Sequence, residues 1–181
     1  MRFVTRRRTP SRLRRADARG QSLVEFALIV TPLFLLILAV VQFGLIFNAY
    51  VTLTNATREA ARTGTIVVYD RNLSKAANDL VRHEAVRDTL VGSMNLLSTS
   101  APQLTNGMTW AQSGSTYTNG DIVVSYELPE GMTQSDPRTG QRLTVRATYH
   151  LDLIVPLIAN LLPRDLGGRL ALPAEVTMVI N

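Results

Sequence analysis

Between Leu23 and Phe47 the chain carries almost nothing but aliphatic side chains and Phe. The polar exceptions are Glu25, Thr31 and Gln42; Pro32 and Gly44 are local irregularities. A run of this length constrains the fold more than any other feature. About 20 apolar residues cross a bilayer as a helix. A helix is required there because its backbone groups satisfy one another where water is absent. Pro32 removes one internal hydrogen bond, which predicts a bend near it. One carboxylate, Glu25, stands about a turn inside a segment that otherwise has no charge.

Charge is distributed to match. Residues 1–19 hold eight Arg and one acid, Asp17, a local charge of +7 against +5 for the whole chain. The basicity therefore belongs to a leader, and the remainder is slightly acidic. Such a tail points to a membrane or to nucleic acid. A nucleic-acid tail stands beside a soluble domain and carries aromatic residues to stack on bases. Here the tail runs straight into the apolar span, and its only aromatic is Phe3. Arginines beside a span hold that flank in the cytoplasm. The expected partner is the lipid bilayer, with no nucleic acid. Like-charge repulsion and missing apolar periodicity predict a disordered leader over Met1–Arg19.

A cleaved secretory signal is the competing interpretation. Its apolar core spans only about 7–15 residues and ends in a small-x-small site. This run is longer, and Phe47-Asn48-Ala49-Tyr50 is a poor cleavage site. A retained anchor is expected, in three parts: a basic cytoplasmic leader over 1–20, a transmembrane helix over 21–48 and an extracytoplasmic α+β domain over 49–181. The protein is expected in the cytoplasmic (inner) membrane as a single-pass chain, with its N-terminus inside.

The helix is predicted to continue beyond the membrane. Residues 49–63 contain no Pro, and Val51, Leu53, Ala56 and Ala60 recur at helical spacing before Gly64, a plausible end signal. From Leu23 to Thr63 such a helix is about 60 Å long at ~1.5 Å per residue. After a turn at Tyr69–Asn72, a second helix is expected from about Lys75 to Leu97, capped by Asn72 or Ser74. Its apolar face is Ala77, Leu80, Val81, Ala85, Val86, Leu90, Met94 and Leu97.

The remainder alternates. Arg142–Leu151 places Leu143, Val145, Ala147, Tyr149 and Leu151 on one side, the mark of a sheet with one wet face. Arg169–Ile180 repeats the pattern, and Pro173 suggests an edge strand. Asp121–Leu128, entered through the Asn119-Gly120 turn, is a third strand. Met108–Ala111 is a short fourth candidate. Val155–Leu162 is a short apolar segment flanked by prolines. The fold class is α+β: a long N-terminal helix, a second helix and a small antiparallel sheet.

Catalytic signals do not assemble. The chain has no Cys, which removes disulfides, thiolate chemistry and Cys-based zinc sites. His83 falls mid-helix and His150 on the wet side of a strand, neither with a sequence-spaced ligand partner. No phosphate loop or nucleophile-elbow pattern occurs. Asp121 reads as turn chemistry rather than calcium binding, which needs several acids together. The expectation is no enzyme, no metal and no cofactor.

A basic leader ending in Gly, a Glu five residues later and an apolar helix resembles the start of type IV pilin precursors. A fuller resemblance is to the TadE-like proteins of tight-adherence (Flp) pilus assembly. It is carried by Arg19-Gly20-Gln21-Ser22-Leu23-Val24-Glu25-Phe26-Ala27-Leu28, by Pro32 and by Asn55-Ala56-Thr57-Arg58-Glu59-Ala60-Ala61-Arg62. It covers residues 19–63 well and 141–181 loosely. The resemblance implies a pilin-like fold and a pseudopilin, or minor pilin, that takes part in pilus assembly. It implies that prepilin peptidase cuts between Gly20 and Gln21, and that Glu25 pairs with an amine of the kind this cut creates, often on a neighbouring pilin-like subunit. Arg58 and Arg62, four residues apart on one helix face, become candidates for headgroup or partner contact. The alternative is a signal-anchored extracytoplasmic binding or sensor module that the peptidase does not process.

Overall fold

The computed structural model describes residues 13–94, 109–132, 138–155, 160, 162–165 and 167–181, with side chains from residue 20 onward. Two helices come first, α1 over Leu13–Ile66 and α2 over Lys75–Met94. Five strands follow: β1 (Ala111–Ser113), β2 (Thr116–Asn119), β3 (Ile122–Glu127), β4 (Arg142–Leu151) and β5 (Leu170–Val179). They form one sheet in the order β1-β2-β3-β4-β5, each antiparallel to its neighbour. The class is α+β, with one strand more than the sequence suggested. The chain divides into two compact units, Met1–Val41 and Gln42–Asn181.

Helix α1 exceeds its expected bounds at both ends. It begins inside the leader, so residues 13–19 are helical where disorder was expected; residues 1–12 of that leader lie outside the described part. Adding a turn to a formed helix costs far less than starting one, and Leu, Arg and Ala propagate well. At the other end α1 runs through Gly64 to Ile66. Gly64 is a point of close approach rather than a stop signal. A Cβ there would fall 2.6 Å from Leu143 Cδ2 and 2.7 Å from Val86 Cγ2. Only a residue without a side chain lets α1, α2 and β4 meet so closely.

The buried face of α1 within the second unit is Gln42, Ala49, Leu53, Ala56, Thr57, Ala60, Ala61 and Gly64, at helical spacing. Val51, expected on that stripe, faces outward. Small residues dominate where the helix lies closest to its neighbours. The core that it covers takes Val86, Leu90 and Met94 from α2, with Ile122, Val124, Leu143, Val145, Ala147 and Tyr149 from the sheet.

Helix α2 starts at Lys75 as expected, with Ser74 Oγ accepting the Ala77 N–H at 3.2 Å. Ser74 is thus the cap. The preceding turn is tied by Asn78, whose amide reaches the carbonyls of Asp70, Leu73 and Ser74. The apolar face of α2 departs from expectation. Leu80 and Val81 are 49% and 50% exposed, whereas Asp79, Arg82 and His83 are buried. Leu97 lies outside the described residues.

β4 spans the predicted residues, with Leu143, Val145, Ala147 and Tyr149 inward. β5 is an edge strand and carries Pro173 opposite Thr148. The extra strand comes from residues 111–119, where β1 and β2 make a hairpin. Gly114, at φ 61°, opens its two-residue turn. In the next hairpin the turn residues are Gly120 and Asp121, because Asn119 still pairs with Ile122. Of the short strand candidate Met108–Ala111, Met108 lies outside the described part, Thr109 and Trp110 are not strand, and Ala111 opens β1; residues 156–159 and 161 of the proline-flanked segment also lie outside the described part.

Candidate functional site

From residue 20 to residue 41 every side chain of α1 is exposed except at 38 and 39, which are half-buried. Leu23, Phe26, Leu28, Ile29, Leu33, Phe34 and Leu36 are all more than half exposed. Soluble proteins do not present so much contiguous apolar surface to water. Among the described residues this is the one helix long and apolar enough to cross a membrane. Thr31 buries its hydroxyl need locally by donating to the Ala27 carbonyl at 2.7 Å.

At the start of this segment the helical spacing brings Gln21 and Glu25 together. Gln21 Nε2 donates to Glu25 Oε1 at 2.9 Å, and both are exposed. Gly20 is exposed, and a Cβ on it would meet nothing within 4 Å. The three residues singled out in the sequence thus lie within two turns of one helix.

Arg58 and Arg62 belong to the other unit. Around them α1 is sharply two-faced: Ala56, Thr57, Ala60 and Ala61 are buried, whereas Asn55, Arg58, Glu59 and Arg62 are exposed. Thr57 donates to the Leu53 carbonyl at 2.8 Å. Arg62 reaches Glu59 at 3.9 Å with both side chains largely in water. A pair of that kind contributes little, so the outward charges remain available to a partner.

Sequence reasoning missed a buried polar centre between α2 and the sheet. Arg138 forms a bidentate pair with Asp79, Nε to Oδ1 at 2.7 Å and Nη2 to Oδ2 at 2.8 Å. The same guanidinium lies 3.8 Å from the centre of the Tyr126 ring and also donates to Gln141. Arg82 stands 4.0 Å from Asp79 on the other side. His83 Nε2 and the Tyr126 hydroxyl are 2.8 Å apart. Burial lowers the His83 pKa to about 4, against the pull of Asp79, so its ring is neutral at pH 7. Burial raises the Tyr126 hydroxyl well above its usual range. The available signal was the i, i+3, i+4 spacing of Asp79, Arg82 and His83, which puts all three on one face of α2.

His150 lies on the wetter face of β4 as expected, yet it has carboxylate partners that sequence spacing does not reveal. Nε2 is 3.2 Å from Asp121 Oδ1, and Nδ1 meets Asp165 Oδ2. Asp165 also accepts the backbone N–H groups of Arg169 and Gly167. The Arg169 amide, then the His150 ring, hold its carboxyl below the ordinary range. The cluster ties the β2–β3 turn to the segment before β5. Among the described residues no group of three or more His, Asp or Glu has the arrangement of a metal site.

Compared with known proteins, residues 20–62 match the model of a family described as TadE-like protein. The resemblance carried by Gly20–Leu28 and Asn55–Arg62 is thereby shown, within α1. No curated protein and no solved structure matches the chain. The match supports a protein associated with the tight-adherence pilus, and the long apolar helix fits a single-pass membrane protein.

Proposed function

We propose that the chain is a pseudopilin-like protein that takes part in assembling a tight-adherence pilus, anchored in the inner membrane with its leader in the cytoplasm. Prepilin peptidase hydrolyses the Gly20–Gln21 bond, leaving a Gly20 carboxylate on the leader and a free amine on Gln21. Glu25 then pairs with the corresponding N-terminal amine of a neighbouring pilin-like subunit. The second unit, Gln42–Asn181, makes side contacts with partner proteins, with Arg58, Glu59 and Arg62 on its outward helix face. No catalytic step is assigned to the chain.

The observation that carries this proposal is the family match over residues 20–62, which contains Gly20, Glu25 and the Asn55–Arg62 stretch together. Physical chemistry adds a reason. A carboxylate near one end of a span costs up to about 2.5–3.5 kcal/mol on insertion scales, less toward the interface. Pairing with a new amine in a low dielectric offsets part of that cost and fixes the register of neighbouring helices. In the uncut chain Glu25 has the neutral amide of Gln21 for that role.

Intact mass of the membrane-purified protein, with and without prepilin peptidase, tests the cut. A mature start at Gln21 that depends on the peptidase is expected; an intact arginine leader in its presence points instead to a permanently anchored sensor or binding module. Glu25→Gln is expected to insert normally and to lose most co-purification with partner pilins. Undiminished co-purification and pilus output would refute the pairing.

A further inference from the structure

Gln42 is 1% exposed although it lies in the apolar run. Its side-chain oxygen accepts the backbone N–H of Ile154 at 2.9 Å and of Val155 at 3.2 Å. The globular unit therefore grips the helix from its first residue. Irregular backbone is tolerated at membrane depth only where protein or a water-filled cavity surrounds it. Ile154 is 71% exposed, so the described residues do not enclose this stretch of backbone. A span reaching to Phe47 would carry this loop into the hydrocarbon. The 19 residues Leu23–Val41 rise about 28 Å at ~1.5 Å each, which matches a hydrocarbon core of roughly 30 Å. The membrane boundary accordingly falls next to Gln42.

The surface around that level is apolar. Phe43, Phe47 and Tyr50 succeed one another at spacings of four and three on α1. With Ile46 and Leu172 of β5 they line an open groove of about 430 Å³. Phe43 and Phe47 are more than half exposed. Aromatic rings with one polar-tipped member suit the headgroup boundary, where Tyr and Trp concentrate.

We propose that this face, Phe43, Phe47, Tyr50, Leu172 and the neighbouring Ile154, is immersed in the interfacial layer of the phospholipid bilayer. The globular unit then contacts the bilayer through this face. The inference rests on Leu23–Val41 being the span.

Because the chain has no Cys, single-cysteine variants of the full chain report depth directly. Ile154→Cys and Phe47→Cys probe the proposed face, Ile29→Cys the span, and Val68→Cys a position 85% exposed on the globular unit. Each is labelled with an environment-sensitive fluorophore in phosphatidylglycerol–phosphatidylcholine vesicles. Quenchers are shallow and deep spin-labelled lipids and aqueous iodide. Expected are blue-shifted emission and several-fold stronger shallow-lipid quenching at 154 and 47 than at 68, with deep-lipid quenching at 29. Iodide-quenched, unshifted emission at 154 and 47 with a lipid-quenched 29 overturns the seating while leaving the span intact. Blue shift at 154 and 47 without lipid quenching means a protein covers the face, and also overturns it. Water-like emission at 29 removes the span and the seating with it.

Discussion

Asp79 is, among the described residues, the one carboxylate paired with two buried guanidinium groups. It holds Arg138 through two bonds of 2.7 and 2.8 Å and stands 4.0 Å from Arg82; all three side chains are 5–6% exposed. Arg82 Nε already has no partner among the described residues. Asp79→Ala leaves two cations facing each other away from water. At an effective dielectric of 20, a unit pair at about 4 Å is worth ~4 kcal/mol, and breaking a buried pair from one side costs about 3–5 kcal/mol. We expect Asp79→Ala to cost in that range. Arg138→Met costs less, because Arg82 remains to balance Asp79. The double variant is more stable than the sum of the singles predicts, since it removes charge from both sides. Urea unfolding of the full chain in detergent, followed by Trp110 fluorescence, reads this directly. Trp110 is the single tryptophan, donates to Glu84 at 3.1 Å and packs tilted against the His83 ring, 5.0 Å between centroids. A loss under about 1 kcal/mol for Asp79→Ala, or strict additivity in the double variant, refutes the account of this centre.

Two other perturbations follow from the core. His83 titrates near pH 4 when folded and near 6.5 when unfolded, so below pH 6.5 the unfolded chain binds a proton that the folded chain refuses. Stability is full above pH 6.5 and falls toward pH 4 by up to about 3 kcal/mol; in His83→Gln that part of the slope disappears from the unfolding midpoint against pH. At Gly64 the clash with Leu143 and Val86 makes Gly64→Val cost about 1–3 kcal/mol. Gly92→Ala, where a Cβ meets nothing within 4 Å, gains about 0.5–1 kcal/mol; thermal denaturation separates the two, and equal midpoints would contradict the close approach at Gly64.

Local patterns were readable and non-local ones were not. The alternation of Arg142–Leu151 matched β4 residue for residue, because period two has one structural meaning over ten residues. Asn72 and Ser74 were both cap candidates by type and place, and Ser74 is the cap. On α2 the same approach failed. Leu80 and Val81 were on the expected apolar face and are half exposed; Asp79 and His83 were not on it and are buried. Burial of a charge is decided by a partner elsewhere in the chain, and Arg138 is 59 residues away. His150 shows the same limit, since Asp121 and Asp165 reach it only once β3, β4 and the segment before β5 are in place.

What the amino-acid sequence determined by itself is therefore the feature with the longest local pattern. Arginines, Gly20, Glu25 and an apolar run long enough to cross a bilayer are contiguous, and hydropathy and charge act on them without reference to the remainder of the chain. Where that run joins the globular unit, the tertiary structure decided. Gln42 reads as one polar residue inside an apolar segment until the amides of Ile154 and Val155 are found on its side chain. Those bonds are made across 112 and 113 residues, and only folding brings the groups to the same place.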